Sequence, residues 1–560
     1  MSSKYSIGID FGTLSARAVL VEVAAGREIA SAVKDYTHGV MDEFLPDGKT
    51  KLGPDWALQH PEDYLEALRA VIPAVIKEAG VNANDIIGLG FDFTSCTILP
   101  VDKTGRPLCL DEKFRSNPHS YVKLWKHHAA QKQANRLNEI TASRGEEFLS
   151  RYGSGISSEW MVPKVMQILD EAFEVYQAAD RFVEAADWIT EQLTGEKKSN
   201  SCAAGFKALW SKKYGYPSRD FYRQLDPRLE NFVEEKLNKE VVTSGSRVGV
   251  LTEKAAGMLG LNPGTPVAAP FIDAHASLPG VGITEPGKML MIIGTSTCHI
   301  VMDREEKMVP GISGVVEDGI LAGLYAYEAG QACVGDHFEW FIENSLPAAY
   351  AKEAEEKGMN IHAYLRQKAS KLKAGESGLL ALDWWNGNRS VLNDADLTGL
   401  MLGYTLLTKP EEVYRALIEA TAFGTRMIIE AYQDAGVPIR ELYAAGGIAK
   451  KDEMMMQIYS DVTNREIRIA ASAQTSALGS AVCGAVAAGK RNGGYDTIFQ
   501  AARAMTGVEE GYYKPIPENV AAYDKLYAEY KRLHDYFGRS KNDVMKRLKK
   551  IREMAMKSGN

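Results

Sequence analysis

The sequence predicts an α/β protein built as two related lobes around a central cleft, and three observations carry that reading. Strand-like and helical stretches alternate near the start, the pattern of an α/β layer. The chain has 560 residues, more than one ordinary core holds, so two large domains are expected. A Gly-Thr turn between apolar strands occurs twice, at Gly12-Thr13 and at Gly294-Thr295, which is the mark of an internal repeat.

Taken in order, Tyr5–Phe11 and about Ala16–Val23 read as two strands joined at Gly12, a tight hairpin. A third strand fits Glu28–Tyr36. Pro61–Ala79 is helical, opened by Pro-Glu-Asp and stopped near Gly80. The apolar run Ile86–Phe93 reads as a buried strand. The stretch 110–260 reads as mostly helical, with loops at Arg151–Ser158 and Ser199–Gly205. The second hairpin spans 288–302; laid over the first, Ile293–Thr297 matches Phe11–Ser15, with Ile292 where the first copy has Asp10. Pro410–Gly436 is a long helix, Leu442–Gly447 a strand running into paired glycines, and Ala477–Gly489 a helix of small residues suited to close packing. The end, 518–557, is helical and turns basic, as a solvated face does.

Composition narrows the classes. Hydrophobic residues at 45% and charged residues at 25% are those of a soluble globular protein. No run reaches the roughly 18 apolar residues a membrane span needs, and the start shows no secretory signal. A net charge of -8 argues against nucleic acid or a membrane as the main partner. Cys96, Cys109, Cys202, Cys298, Cys333 and Cys483 form no CxxC pair and fit neither a zinc ribbon nor a disulfide framework. They read as buried apolar residues in a reducing compartment, so the cytoplasm is expected. The basic C-terminal helix is as compatible with a homodimer as with a monomer.

Four segments carry chemistry. Asp10-Phe11-Gly12-Thr13-Leu14-Ser15-Ala16-Arg17 turns backbone N–H groups and hydroxyls toward one spot, an anion pocket suited to phosphate. Asp10 can hold a hydrated Mg²⁺ there through water, and Arg17 either reaches phosphate or braces the turn. The second turn, Gly294-Thr295, would face the first and hold a polyphosphate between the lobes; glycine is needed where backbone meets phosphate. Ala444-Ala445-Gly446-Gly447 ends a strand on a bare surface where an adenine ring could lie, although paired glycines are also a common turn. Phe271-Ile272-Asp273-Ala274-His275 sets a carboxylate at the cleft mouth. Asp273 could take the proton of an attacking hydroxyl, or cap a helix; His275 reads as packing. An ordinary aspartate with a pKa near 3.9 would be ionised at neutral pH.

With these segments in order, the chain resembles the FGGY family of carbohydrate kinases over nearly its full length. That resemblance implies two actin-like (ribonuclease H-like) ATPase lobes. Residues 1–280 would be the sugar-binding lobe with a helical insertion, 281–515 the nucleotide-binding lobe and 516–560 a helical extension. Pro54–Pro61, Phe91–Cys96 and Tyr325–Gly330 resemble the family's L-ribulokinase branch. This implies phosphorylation of L-ribulose at O5 by ATP with Mg²⁺, in L-arabinose catabolism. By position, Asp273 would be the catalytic base and Asp10 would lie near Mg²⁺. Gly12, Thr13, Ser15, Arg17, Gly294 and Thr295 would surround the phosphates, with Gly335, Gly446, Gly447 and Lys451 near the nucleotide. Phe93, Thr94, Ser95 and Cys96 match the segment that touches the polyol in relatives. Trp125, Lys207 and Glu328 are further sugar candidates: Trp can cover an apolar sugar face, and Lys and Glu can bond keto and hydroxyl groups. The rivals are a kinase for another ketopentose (D-ribulose or xylulose), an actin- or Hsp70-like ATPase without a sugar, and a regulator that has lost catalysis.

Overall fold

The computed structural model describes residues 3–153 and 155–558. Its frame is two large sheets that share one strand order. In the first, Glu28–Asp35, Ser15–Glu22 and Tyr5–Phe11 run antiparallel, and Ile86–Phe93 and Pro266–Ala268 continue in parallel. In the second, Tyr325–Gln331, Thr297–Asp303 and Lys288–Ile293 run antiparallel, followed in parallel by Glu441–Ala445 and Ile467–Ile469. The repeat read from two Gly-Thr turns is therefore a repeat of whole lobes. Edge strands Arg247–Val250 and Gly314–Glu317 extend the two sheets.

The local elements follow from residue chemistry. Pro61–Ala79 is a helix with Pro at its start, Glu62 and Asp63 in its first turn, and Gly80 closing it at φ 64, where glycine escapes the Cβ penalty. Ile86–Phe93 is buried along its whole length, as a central strand covered on both faces should be. One expectation is corrected. Ser199–Gly205 is not a loop: Ser201–Lys207 is a helix whose Asn200 cap accepts from Ala203 N–H, and it delivers Lys207 to the cleft. The stretch 110–260 is mostly helical as expected, and two of its short strands, Val122–Lys123 and Arg181–Glu184, join Leu58–Gln59 and Ile98–Val101 in a four-stranded sheet. Ser154, in the loop expected at Arg151–Ser158, lies outside the described residues.

The helix of small residues, Thr475–Ala488, packs on Tyr5–Phe11 and Ile86–Phe93 of the first sheet and on the helix Asp273–Val281. Its backbone touches theirs almost directly. A Cβ on Gly8 would stand 1.7 Å from Ala477 O, one on Gly90 1.9 Å from Ser480 O, and one on Gly479 1.8 Å from Ala276 O. Helix and sheet thus meet backbone to backbone at these glycines, and Ser480 Oγ, bonded to Asp92 Oδ2 at 2.6 Å, ties the helix to the strand that carries this acid. Among the described residues no helix is long and apolar enough to cross a membrane, and the six cysteines are free thiols, all buried except the partly exposed Cys298.

Candidate active site

The two hairpin turns both open on Gly-Thr but differ by one residue, Gly12–Ser15 lying between the paired Phe11 and Ala16 and Gly294–Ser296 between the paired Ile293 and Thr297. Gly12 N–H donates to Ser15 O at 3.0 Å, and Gly294 N–H donates to Ser296 O at 2.9 Å. Around the first, Gln59 Nε2 donates to Thr13 O at 2.8 Å and Trp125 Nε1 donates to Thr13 Oγ1 at 3.0 Å. Tyr64 O–H in turn holds Gln59 Oε1 at 2.6 Å. Around the second, Val334 N–H donates to Thr295 O and Gly335 N–H to Gly294 O, at 2.8 and 3.0 Å. Gly446 lies against the same hairpin: at φ 98, its Cβ would stand 2.4 Å from Ile293 O. Gly294, Thr295, Gly335, Gly446 and Gly447 therefore gather on one open, side-chain-poor surface. Lys451 ends the short helix Gly447–Lys451 and is exposed.

Between the hairpins stands a cluster of carboxyls. Asp10 and Asp92 are neighbours in register on adjacent strands, and Asp10 faces Arg17 across its hairpin. Burial raises the Asp10 carboxyl above its ordinary value, against the pull of Asp92 and Arg17. Asp92 is pushed further, by complete burial and then by Asp10, although Ser480 Oγ donates to its Oδ2 at 2.6 Å. Among the described residues Asp92 Oδ1 has no donor. Asp273 opens the helix Asp273–Val281 and its Oδ1 accepts from Ala274 N–H at 2.6 Å. Burial and then Asp10 push it to about 7, so it is not the fully ionised aspartate its ordinary pKa predicts.

Beside Asp273 lies a polar pocket. Lys207 Nζ donates to both carboxylate oxygens of Glu328, at 2.9 and 2.8 Å, and sits 5.6 Å from the Trp160 ring centre. Burial acts to raise the Glu328 carboxyl, but Lys207 outweighs it and holds Glu328 below its usual range. His275 is fully buried against Phe206. Burial lowers it to about 4, so it is a neutral packing residue, as expected. Cys96 adopts φ 54, a strained conformation for a residue with a Cβ. The buried Lys164 pins that turn, donating to Cys96 O at 2.6 Å and to Leu124 O at 2.8 Å.

The predicted residues do not all face the pocket. The Phe93 ring stacks on Phe11 at 4.7 Å and meets Tyr64 edge-on at 4.9 Å, inside the first core, so Phe93 offers the cleft only its backbone. Thr94 is buried and its Oγ1 is bonded to Thr97 Oγ1 at 2.8 Å. Ser95 Oγ lies 3.0 Å from Cys96 Sγ. Trp125 is tied to the first hairpin turn through Thr13 Oγ1. Sequence reasoning missed Gln59, Asp92, Lys164, Glu159 and Arg389. Only Asp92 left a sequence signal, a carboxylate set in the otherwise apolar run Ile86–Phe93. Gln59 lies within the segment Pro54–Pro61, and Lys164, Glu159 and Arg389 come from segments outside the motifs.

Residues 5–280 and 289–488 match the N-terminal and C-terminal domains of the FGGY family of carbohydrate kinases. The chain is 59% identical over 555 residues to a ribulokinase of Geobacillus thermodenitrificans, spanning 99% of this chain and 98% of the relative. It is 61% identical over 541 residues to a ribulokinase of Bacillus licheniformis, spanning 97% and 98%. Among solved structures, a xylulose kinase from Rhodospirillum rubrum superposes with a TM-score of 0.76 at 24% identity, covering 95% of this chain and 98% of that one. A gluconate kinase from Lactobacillus acidophilus does so at 0.79 and 17%, covering 96% and 99%. The fold these neighbours share is the actin-like pair of lobes.

Proposed function

Because the chain belongs to the FGGY family of carbohydrate kinases, we propose that it transfers the γ-phosphoryl group of ATP to O5 of L-ribulose, forming L-ribulose 5-phosphate in L-arabinose catabolism. The observation that carries this reading is the full-length similarity to ribulokinases at about 60% identity. The residues beside Asp273 support it: the Lys207–Glu328 pair, whose charges act on the Asp273 carboxyl, and the pinned Cys96 turn.

In this reading the γ-phosphate lies between the Gly12-Thr13 and Gly294-Thr295 turns, whose backbone N–H groups and hydroxyls offer anion donors. Gly446 and Gly447 leave room for the adenine. Lys207 and Glu328 orient the sugar so that its terminal hydroxyl approaches Asp273, which accepts the proton as the O–P bond forms. A group that titrates near neutral pH suits that exchange. The acceptor-rich cluster of Asp10 and Asp273, with the donorless Asp92 Oδ1 behind it, fits a hydrated Mg²⁺ held through Asp10. When bound, Mg²⁺ neutralises charge on the phosphates. Closing the lobes would exclude water, so that the hydroxyl and not water is phosphorylated. ATP supply and the free thiols are consistent with a cytoplasmic enzyme.

The test is coupled ADP release with Mg-ATP and each of L-ribulose, D-ribulose, L-xylulose, D-xylulose, ribitol and glycerol. Strong turnover on L-ribulose with little on D-xylulose or glycerol is the expected result. A faster rate on another ketopentose would reassign the substrate, and equal ATP hydrolysis with every sugar would refute the sugar-kinase reading.

A further inference from the structure

One cation in the pocket, Arg389, has no hydrogen-bond or ion-pair partner among the described residues. Arg389 belongs to the second lobe, on the segment after the strand Leu380–Leu382, and runs across the bare backbone of Gly330. A Cβ on Gly330 would stand 3.2 Å from Arg389 Cδ and 3.5 Å from its Nη1, so a glycine there gives the side chain its path. The stem is held by its neighbour, since Gly330 N–H donates to Ser390 Oγ at 3.2 Å. The groups that act on the guanidinium are Glu159, Cys298, Glu328 and Cys96; Glu328 and Cys96 belong to the pocket built around Lys207.

The other two cations of this region are engaged. Lys207 holds Glu328 with two hydrogen bonds, and Lys164 is spent on the carbonyls of Cys96 and Leu124. Among the described residues Arg389 has neither a hydrogen bond nor an ion pair, and it is only partly exposed. A guanidinium carries five donors in a rigid fork, and leaving a largely desolvated charged donor unpaired costs stability. The fork is matched by two adjacent oxygens, as in a carbonyl beside a hydroxyl or a vicinal diol.

We propose that Arg389 is a sugar-binding residue supplied by the second lobe, its guanidinium donating to adjacent oxygens of the open-chain ketose opposite the Lys207–Glu328 pair. Arg389 then joins Glu328 as a second sugar-side group from the second lobe. This assignment rests on the ketose-kinase reading above.

Arg389→Met and Arg389→Lys test it, with KM for L-ribulose, KM for ATP, kcat and Tm measured beside the parent enzyme. Arg389→Met is expected to raise the sugar KM tenfold or more while the ATP KM stays within twofold and Tm does not fall. Arg389→Lys, which keeps the charge but not the fork, should recover only part of the loss. A sugar KM unchanged in Arg389→Met overturns the proposal. So does an equal rise in both KM values with a lowered Tm, which is the signature of a structural role. If the parent enzyme itself phosphorylates no ketose, the functional reading falls and this one with it; a parent active on L-ribulose beside an unaffected Arg389→Met sinks the Arg389 assignment alone.

Discussion

Replacing Asp273 by Asn should inactivate the enzyme and stabilise its fold. In the unfolded chain this carboxyl ionises near 3.9; in the folded protein burial and Asp10 push it to about 7. The folded state therefore holds the proton more tightly. Stability referred to this group is greatest below the unfolded value and is lost as pH rises through about 4 to about 7. A rise from 3.8 to about 7 corresponds to about 4 kcal/mol at 1.36 kcal/mol per tenfold. Part of it is repulsion shared with Asp10, so removing the charge should recover about 2–4 kcal/mol above pH 8 and almost nothing near pH 4. Asn keeps an oxygen able to accept from Ala274 N–H. Urea unfolding of both proteins at several pH values reads the difference, and steady-state turnover reads the loss of the base, expected at about 10²–10⁴-fold. In the parent enzyme kcat/KM for the sugar should fall about tenfold per pH unit below about 7, as the base is protonated. Two stability curves that run parallel across pH would refute the burial reasoning, and near-normal turnover by the variant would refute the role of base.

Other expectations are shorter. Gly90→Ala places a methyl 1.9 Å from Ser480 O, a backbone atom that cannot swing aside, so it should cost at least about 1–3 kcal/mol of stability in a denaturant titration. Lys207→Met strands the buried Glu328 carboxylate and should cost about 3–5 kcal/mol. Lys207→Met combined with Glu328→Gln should regain part of that, which a double-mutant cycle measures. Trp125→Phe loses the bond to Thr13 Oγ1, worth about 0.5–1.5 kcal/mol. It should raise the ATP KM by about threefold to tenfold and spare the sugar KM; a rise confined to the sugar KM would mean that the ring covers the sugar.

Much was determined by sequence alone, because it is written in local signals. The hairpin Tyr5–Phe11 with Ser15–Glu22, the helix Pro61–Ala79 and the buried strand Ile86–Phe93 are set by apolar periodicity and by Pro and Gly at their ends. The doubled Gly-Thr turn pointed to two lobes, and their common strand order follows it. Tertiary structure decided what local signals do not encode. Only packing shows that the Phe93 ring turns into the first core while Cys96 is buried in a separate cluster with Ile98 and Phe114, since strand-end side chains alternate and the bend at φ 54 breaks the alternation. Ser201–Lys207 is a helix because Asn200 caps it and the lobes enclose it, though its small residues read as a loop. Arg389 reaches the pocket from a segment 116 residues beyond Asp273 in sequence (389 − 273). The raised titration of Asp273 belongs to no residue by itself. It arises because glycine-mediated contact between the Thr475–Ala488 helix and the first sheet holds the Asp10 and Asp273 carboxyls together in a partly buried cluster behind which Asp92 is fully buried.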